Sequence, residues 1–367
     1  MAEPLKNVFN ASFIEKLSDT LQEIVPGLNR KLFVHDILDT TWQDRELKER
    51  MRHITVVLNS HLPGAFERKV ELLLTLIPIL KTKSSQRDLL GYIFLPDFIE
   101  VYGLDHYPVS IKAIETITQF ITCEFAVRPF LIRYPKKMMH QMLAWSTHPN
   151  PMVRRLSSEG CRPRLPWAMA IPFLKENPSP IIPILENLKK DPSGSVRRSV
   201  ANNLNDISKD HPQVVIDIAV KWKGNNREID ALVKHACRTL LKQGNPELMK
   251  LFGFGSIEEL DIANFSIAKS NISIGEDLEF SFVLCNQSSS DTKVRLEYAI
   301  YYQKANGSLS KKVYKISERS YPKDSKTKIQ RRQHFRVITT RKLHPGLHKI
   351  APIINGQELD AHTFNLQ

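Results

Sequence analysis

The chain has 367 residues, more than one compact core of ordinary size accommodates, so two domains are expected. Its 52 Lys and Arg against 39 Asp and Glu give a formal charge of +13, which favours a polyanionic partner: nucleic acid, an anionic membrane surface or an acidic protein. Cys123, Cys161, Cys237 and Cys285 are too scattered for a disulfide framework or paired metal ligands, and no apolar run is long enough to span a bilayer, which argues against secretion and membrane insertion.

The N-terminal MAEPLKNVFNASF carries polar and acidic residues where a signal peptide needs an apolar core, so a reducing cytoplasm is expected. From there to about Leu251 the apolar residues recur at helical spacing, as in Phe13, Leu17, Leu21, Ile24 and in Val70, Leu73, Leu74, Ile77, Leu80. Prolines at Pro63, Pro78, Pro96, Pro108, Pro129, Pro135 and Pro149 mark helix starts, stops or kinks. Many helices joined by short loops imply stacked antiparallel pairs.

One internal repeat is visible. His148-Pro149-Asn150-Pro151-Met152-Val153-Arg154-Arg155 returns 43 residues later as Asp191-Pro192-Ser193-Gly194-Ser195-Val196-Arg197-Arg198. A proline turn opening a helix with Val-Arg-Arg, at a period of about 40–47 residues, is the pattern of a HEAT-like α-solenoid. A degraded third copy is expected at Leu232-Val233-Lys234-His235-Ala236-Cys237, without the proline turn.

Beyond Leu251 period two replaces period 3.6, as in 278–284 and 294–302. Turn signals at Ile274-Gly275-Glu276, Gln287-Ser288-Ser289-Ser290, Ala305-Asn306-Gly307 and His344-Pro345-Gly346 divide this region into about seven strands, the count of an immunoglobulin-like β-sandwich. The expected architecture is therefore mainly α, with a HEAT-like domain over 1–255 and a β-sandwich over 256–367, joined near Gly253 to Glu259. The second part holds 17 basic and 12 acidic residues, so +5 of the +13 lies there and +8 in the helical part.

Metal chemistry is not expected, since there is no HExxH, CxxC, His/Cys cluster or EF-hand loop. Gly253-Phe254-Gly255 lacks the third glycine and the βαβ context of a dinucleotide loop, so no cofactor is expected either. Arg154, Arg155, Arg162, Arg164, Arg197, Arg198 and Arg238 fall at matching positions of successive units, where a solenoid would stack them into a ridge for a phosphate backbone. For any single one the alternative is an ion pair with a neighbouring repeat. Three acids stand out against apolar or basic neighbours: Glu124 within Phe120–Val127, Glu159 one turn after Arg155, and Asp206 at the end of 200–206. Each would point into one groove from successive helices, or else be a surface carboxylate or a partner for an adjacent arginine. Trp167, in Arg162-Pro163-Arg164-Leu165-Pro166-Trp167, would offer an aromatic face to a cation or a base, or pack into the core. Trp42, Trp145 and Trp222 have apolar helical neighbours and are assigned to the core.

Four segments carry a resemblance: 46–54, Cys123-Glu124-Phe125-Ala126-Val127-Arg128-Pro129-Phe130, 153–167 and 195–206. Through them the chain resembles, almost end to end, the AlkC-type DNA alkylation-repair glycosylases of the HEAT-like-repeat superfamily shared with AlkD. The resemblance implies hydrolysis of the N-glycosidic bond of cationic alkylated bases (3-methyladenine, 3-methylcytosine, 1-methyladenine) in double-stranded DNA. It nominates Glu124, Glu159 and Asp206 as the catalytic acids, with Trp167 beside them, and implies a bacterial cytoplasm or nucleoid. Within this reading Glu159 and Asp206 face deoxyribose and water while Glu124 supports the lesion side. The basic residues of the β part, Lys311, Lys312, Lys323, Lys326, Lys328, Arg331 and Arg332, would close around the duplex or form a solvated surface. A monomer is the default. The competing readings are a non-catalytic HEAT scaffold that binds nucleic acid or an acidic protein, and an adaptor whose sandwich recruits a protein.

Overall fold

The computed structural model describes residues 4–85, 88–337 and 342–367. Sixteen α-helices precede nine strands among the described residues. The first eight are α1 (Ala11–Ile24), α2 (Arg30–Ile37), α3 (Leu47–His61), α4 (Phe66–Lys83), α5 (Phe94–Tyr102), α6 (Tyr107–Ile117), α7 (Val127–Arg133) and α8 (Pro135–Trp145). They are followed by α9 (Pro151–Glu159), α10 (Pro172–Glu176), α11 (Ile182–Leu188), α12 (Gly194–Ile207), α13 (Pro212–Trp222), α14 (Arg227–Ala236), α15 (Arg238–Lys242) and α16 (Pro246–Leu251). The chain forms two compact units, Met1–Val215 with Trp222–Ala236, and Ile216–Lys221 with Cys237–Gln367.

Proline places many of the helix starts, as expected. Pro108, Pro135, Pro151 and Pro246 occupy the first turns of α6, α8, α9 and α16, where a missing N–H costs nothing. Pro78 instead sits inside α4. At α9 the Asn150 side chain also accepts the Met152 N–H at 2.8 Å, so residues 150 and 151 together fix where the helix begins. The repeat is a packing unit: α8 lies against α9, α11 against α12, and the helices carrying Val-Arg-Arg, α9 and α12, lie side by side. The degraded copy is α14, packed on the far side of α12. Val153, Val196 and Val233 are all buried, as are Trp42, Trp145 and Trp222.

The arginines of this repeat turn back on their own loops. Arg154 Nη1 donates to the carbonyls of His148 and Pro149 at 2.9 and 2.8 Å, and Arg197 Nη1 does the same to Asp191 and Pro192 at 2.6 and 3.0 Å. Each also reaches across to the next repeat, Arg154 to buried Asp191 at 2.5 Å and Arg197 to Glu228 at 3.2 Å. The pair Val-Arg is therefore the stitch of the solenoid.

The strands are β1 (Leu260–Ile267), β2 (Asn271–Ile272), β3 (Asp277–Asn286), β4 (Thr292–Gln303), β5 (Leu309–Tyr321), β6 (Ser325–His334), β7 (Gly346–Ile354), β8 (Gln357–Glu358) and β9 (His362–Leu366). Seven are longer, as the alternation indicated; β2 and β8, two residues each, are too short to leave a period-two signal. One sheet has the order β1-β3-β6 and the other β2-β9-β7-β4-β5, with β8 on β7. Phe280 and Phe282 of the first sheet share a core with Tyr298, Ile300, Ile350 and Phe364 of the second, which makes the pair a sandwich. All four expected turns lie between strands.

Candidate active site

The three acids are brought together, but by a different arrangement from three successive helices. Glu124 lies in the turn before α7, Glu159 ends α9, and Asp206 lies near the end of α12. The helix starts only at Val127, so Glu124 is freed from the helical register that its apolar neighbours suggested.

Arginines join them into one chain of alternating charge. Arg155 donates to Glu124 at 3.0 Å and lies 3.8 Å from Glu159; Arg162 donates to Glu159 at 2.6 Å and to Asp206 at 2.8 Å. Thr122 adds a hydroxyl to Glu124 at 2.9 Å and Lys209 an ammonium to Asp206 at 3.0 Å. The chain runs from open to closed: the side chains of Arg155 and Glu124 are 24% and 18% exposed, those of Glu159 and Asp206 only 6% and 2%. Glu124 is thus the most open of the three carboxylates, and Glu159 and Asp206, expected to face sugar and water, are the more enclosed. Burial opposes the Arg162 charge, but the hydrogen bond to Asp206 and the charges of Glu159 and Asp206 outweigh it and hold its pKa above the usual value. A buried carboxylate without such a partner is costly, which is why each acid has one.

The expected arginine ridge is consequently not free. Arg154 and Arg197 are stitched into the repeats, Arg155 and Arg162 hold the acids, and Arg164 is bidentate to Asp210 at 2.6 and 2.9 Å. Arg238 is half-buried in α15, in the second compact unit. Arg198 alone of the seven is exposed and ion-paired with no described residue. It lines a surface concavity with Arg227, Gly194 and His235. On the sandwich, Lys311 pairs with Glu358, Arg332 with Glu279 at 3.0 Å, and Lys312 lies over the Tyr314 ring at 5.3 Å. Arg331 donates to the carbonyls of Gln330 and Ile316, whereas Lys323, Lys326 and Lys328 are exposed.

Trp167 is 70% exposed, not in the core, and has φ +65°, a conformation unusual for a bulky residue. With Phe125, Met169, Lys48, Arg52 and Arg128 it lines a cavity of about 570 Å³. Phe125, the residue after Glu124, and the exposed indole line the same hollow. Sequence reasoning passed over two residues here. Arg128 is wholly buried in the apolar run Val127–Ile132, where a charge is itself a signal; Lys48, on an exposed helix face, left none.

Residues 261–367 match the family described as the C-terminal Ig-like domain of the uncharacterised protein YhaZ, and residues 181–211 match the HEAT repeat. Over 362 residues the chain is 43% identical to YhaZ of Bacillus subtilis (strain 168), covering 99% of both. Its structure is similar to that of the Pseudomonas fluorescens alkylpurine DNA glycosylase AlkC bound to DNA containing an abasic site analog. The TM-score is 0.93 at 34% identity, with 100% of each chain covered.

Proposed function

This chain belongs to the AlkC-type family of DNA alkylation-repair glycosylases, and on that premise we propose that it hydrolyses the N-glycosidic bond of cationic alkylated bases in duplex DNA. The substrates proposed are 3-methyladenine, 3-methylcytosine and 1-methyladenine. The observation that carries the reading is the chain Glu124–Arg155–Glu159–Arg162–Asp206, whose most open acid precedes Phe125, a residue that shares a cavity with exposed Trp167. A scaffold that only grips phosphate gains nothing from leaving the Glu124 carboxylate partly open, because an accessible acid weakens attraction to DNA.

The chemistry follows from the leaving group. A base methylated on a ring nitrogen is already cationic and departs without a general acid. What it needs is stabilisation of the oxocarbenium-like charge that develops on the sugar, and a water held for attack. Carboxylates fixed in advance by Arg155 and Arg162 supply the first, and Glu124, the most accessible, can accept the water proton. The Trp167 face favours a cationic base over its neutral parent. Arg198, Lys326 and Lys328 are proposed as phosphate contacts. No metal or other cofactor enters this scheme.

The test is base release from duplexes carrying 3-methylcytosine or 1-methyladenine, comparing wild type with Glu124→Gln, Glu159→Gln and Asp206→Asn. Excision by wild type that collapses in the variants while DNA binding persists is expected. Full activity in all three variants would remove the acids from the mechanism, and salt-sensitive binding without excision by wild type would leave a scaffold.

A further inference from the structure

The loop that carries Trp167 runs from the end of α9 to α10, and two cations hold it from outside. Arg128 is 0% exposed, yet among the described residues no carboxylate forms an ion pair with it. Its Nε donates to the Met169 carbonyl at 2.6 Å and its Nη1 to the carbonyls of Gly160 and Arg162 at 3.0 and 2.9 Å. Its Nη2 has no hydrogen-bond partner. Burial lowers the Arg128 pKa to about 10, and the charges of Asp206 and Glu124, neither in contact with it, oppose that only in part, so the guanidinium remains charged at neutral pH with its desolvation incompletely offset. A methionine would fill this space without that penalty. What the guanidinium adds is a rigid planar fork whose donors reach both ends of one loop.

From the other side, the Lys48 ammonium donates to the carbonyl of Trp167 itself and lies 4.8 Å from the centroid of the Phe125 ring. Lys48 thereby joins the turn bearing Glu124 and Phe125 to the loop bearing Trp167. Between the two contacts, at Trp167 and Met169, the backbone holds the left-handed conformation of Trp167. An exposed tryptophan with positive φ relaxes unless its surroundings over-determine it.

We propose that Arg128 and Lys48 are positioning residues that clamp the 160–169 loop, setting the Trp167 indole at a fixed distance from the Glu124 carboxylate. They act on the reaction through Trp167 and Arg162 rather than by touching substrate. The proposal rests on the glycosylase reading for its kinetic consequence but not for its structural one.

Two variants of the full chain test it. Arg128→Lys keeps charge and volume but cannot reach all three carbonyls; Lys48→Met removes a donor from an exposed position. Single-turnover excision from alkylated duplex is expected to fall on the order of tenfold to a hundredfold in each, as for a catalytic group displaced by about 1 Å. Affinity for abasic-site DNA should stay within about twofold, and Lys48→Arg, which keeps a donor, should restore the rate. Because the other three tryptophans are buried, quenching of fluorescence by acrylamide, which is neutral and so insensitive to the lost Lys48 charge, reports Trp167, with Trp167→Phe as the baseline. Quenching should change in both clamp variants while the thermal midpoint of Lys48→Met does not.

Wild-type excision rates in both variants, or equal losses of binding and excision, would overturn the proposal. If Arg128→Lys does not fold, Lys48→Met against Lys48→Arg decides alone. If wild type excises nothing the glycosylase reading fails, and the quenching comparison still decides the clamp: altered quenching supports it and unaltered quenching overturns it.

Discussion

The Nε of Arg162 donates to Asp206 Oδ2 at 2.8 Å, an ion pair between residues 44 positions apart in which both side chains are almost fully enclosed. The same guanidinium holds Glu159 at 2.6 Å, so two acids from different repeats share one cation. Replacing it by Met removes the nearest cation from both buried carboxylates, leaving Asp206 only half-exposed Lys209 and Glu159 only the more distant Arg155. Arg162→Met should lose about 3–5 kcal/mol of stability, the usual result of removing one partner from a buried pair. Adding Glu159→Gln and Asp206→Asn to Arg162→Met should recover most of that loss without restoring excision. Denaturant titration of the three proteins separates the effects; a single variant as stable as wild type would mean that the pair is solvated in solution.

Glu124 occupies the other end of the chain, and its substitution should behave differently. Glu124→Gln removes an ion pair in which both groups keep some solvent contact, so the cost in stability should be about 1 kcal/mol or less. If Glu124 takes the proton of the attacking water, excision should nevertheless fall by roughly 10²–10⁴. A large kinetic loss with a small thermal shift is the expected signature. The reverse pattern would make Glu124 a support for Arg155.

The solenoid and the sandwich were legible because their signals are periodic: a Val-Arg-Arg turn returning after 43 residues, and alternation over 278–284 and 294–302. The three acids were legible as oddities among apolar and basic neighbours. What sequence could not supply was direction. Arg154 and Arg197 carry the charge expected of a phosphate ridge, but a long side chain at the start of a helix can equally curl back to the carbonyls of its own turn, and both do. Arg155 and Arg162 were assigned to DNA, whereas burial of Glu159 and Asp206 obliges these arginines to remain with the acids. The loop after Glu159 was read as a proline-flanked connector; that Arg128, some 30 residues earlier, anchors it is a tertiary fact with only one local trace, a charge inside an apolar run.

The same distinction predicts which cations meet DNA. Arg198→Ala, Lys326→Ala and Lys328→Ala should each lower the slope of log affinity against log salt by about 1, provided each neutralises one phosphate. Arg154→Ala and Arg197→Ala should leave that slope unchanged. Their loss instead removes loop-carbonyl hydrogen bonds and the ion pairs to Asp191 and Glu228 that stitch the repeats, so each should cost stability, Arg154→Ala the more because its partner Asp191 is buried, roughly 1–3 kcal/mol. Binding isotherms over a series of salt concentrations, paired with thermal melts, place every variant in one group or the other. An unchanged slope in all of the first three would put the phosphate contacts elsewhere.

His348 gives the sandwich a pH dependence of its own. The ring is 0% exposed among Tyr302, Phe335 and Phe364; Nδ1 lies 3.0 Å from the Gly346 carbonyl, and Nε2 has no hydrogen-bond partner among the described residues. Since a carbonyl only accepts, Nδ1 carries the proton in the neutral ring and a second proton would go to the buried Nε2. Burial, only partly opposed by the Gly346 hydrogen bond, depresses the pKa below 6.5. In the unfolded chain the same ring protonates near 6.5, so below that pH the unfolded state binds more protons. The contribution is fully present above pH 6.5 and is lost as pH falls towards the folded pKa. His348→Phe keeps an aromatic ring in the cluster and removes the titration. Its melting temperature should therefore fall less than that of wild type between pH 7.5 and pH 5, whatever the offset between the two proteins at pH 7.5. Parallel falls would show that the imidazole finds a partner for its second proton without unfolding.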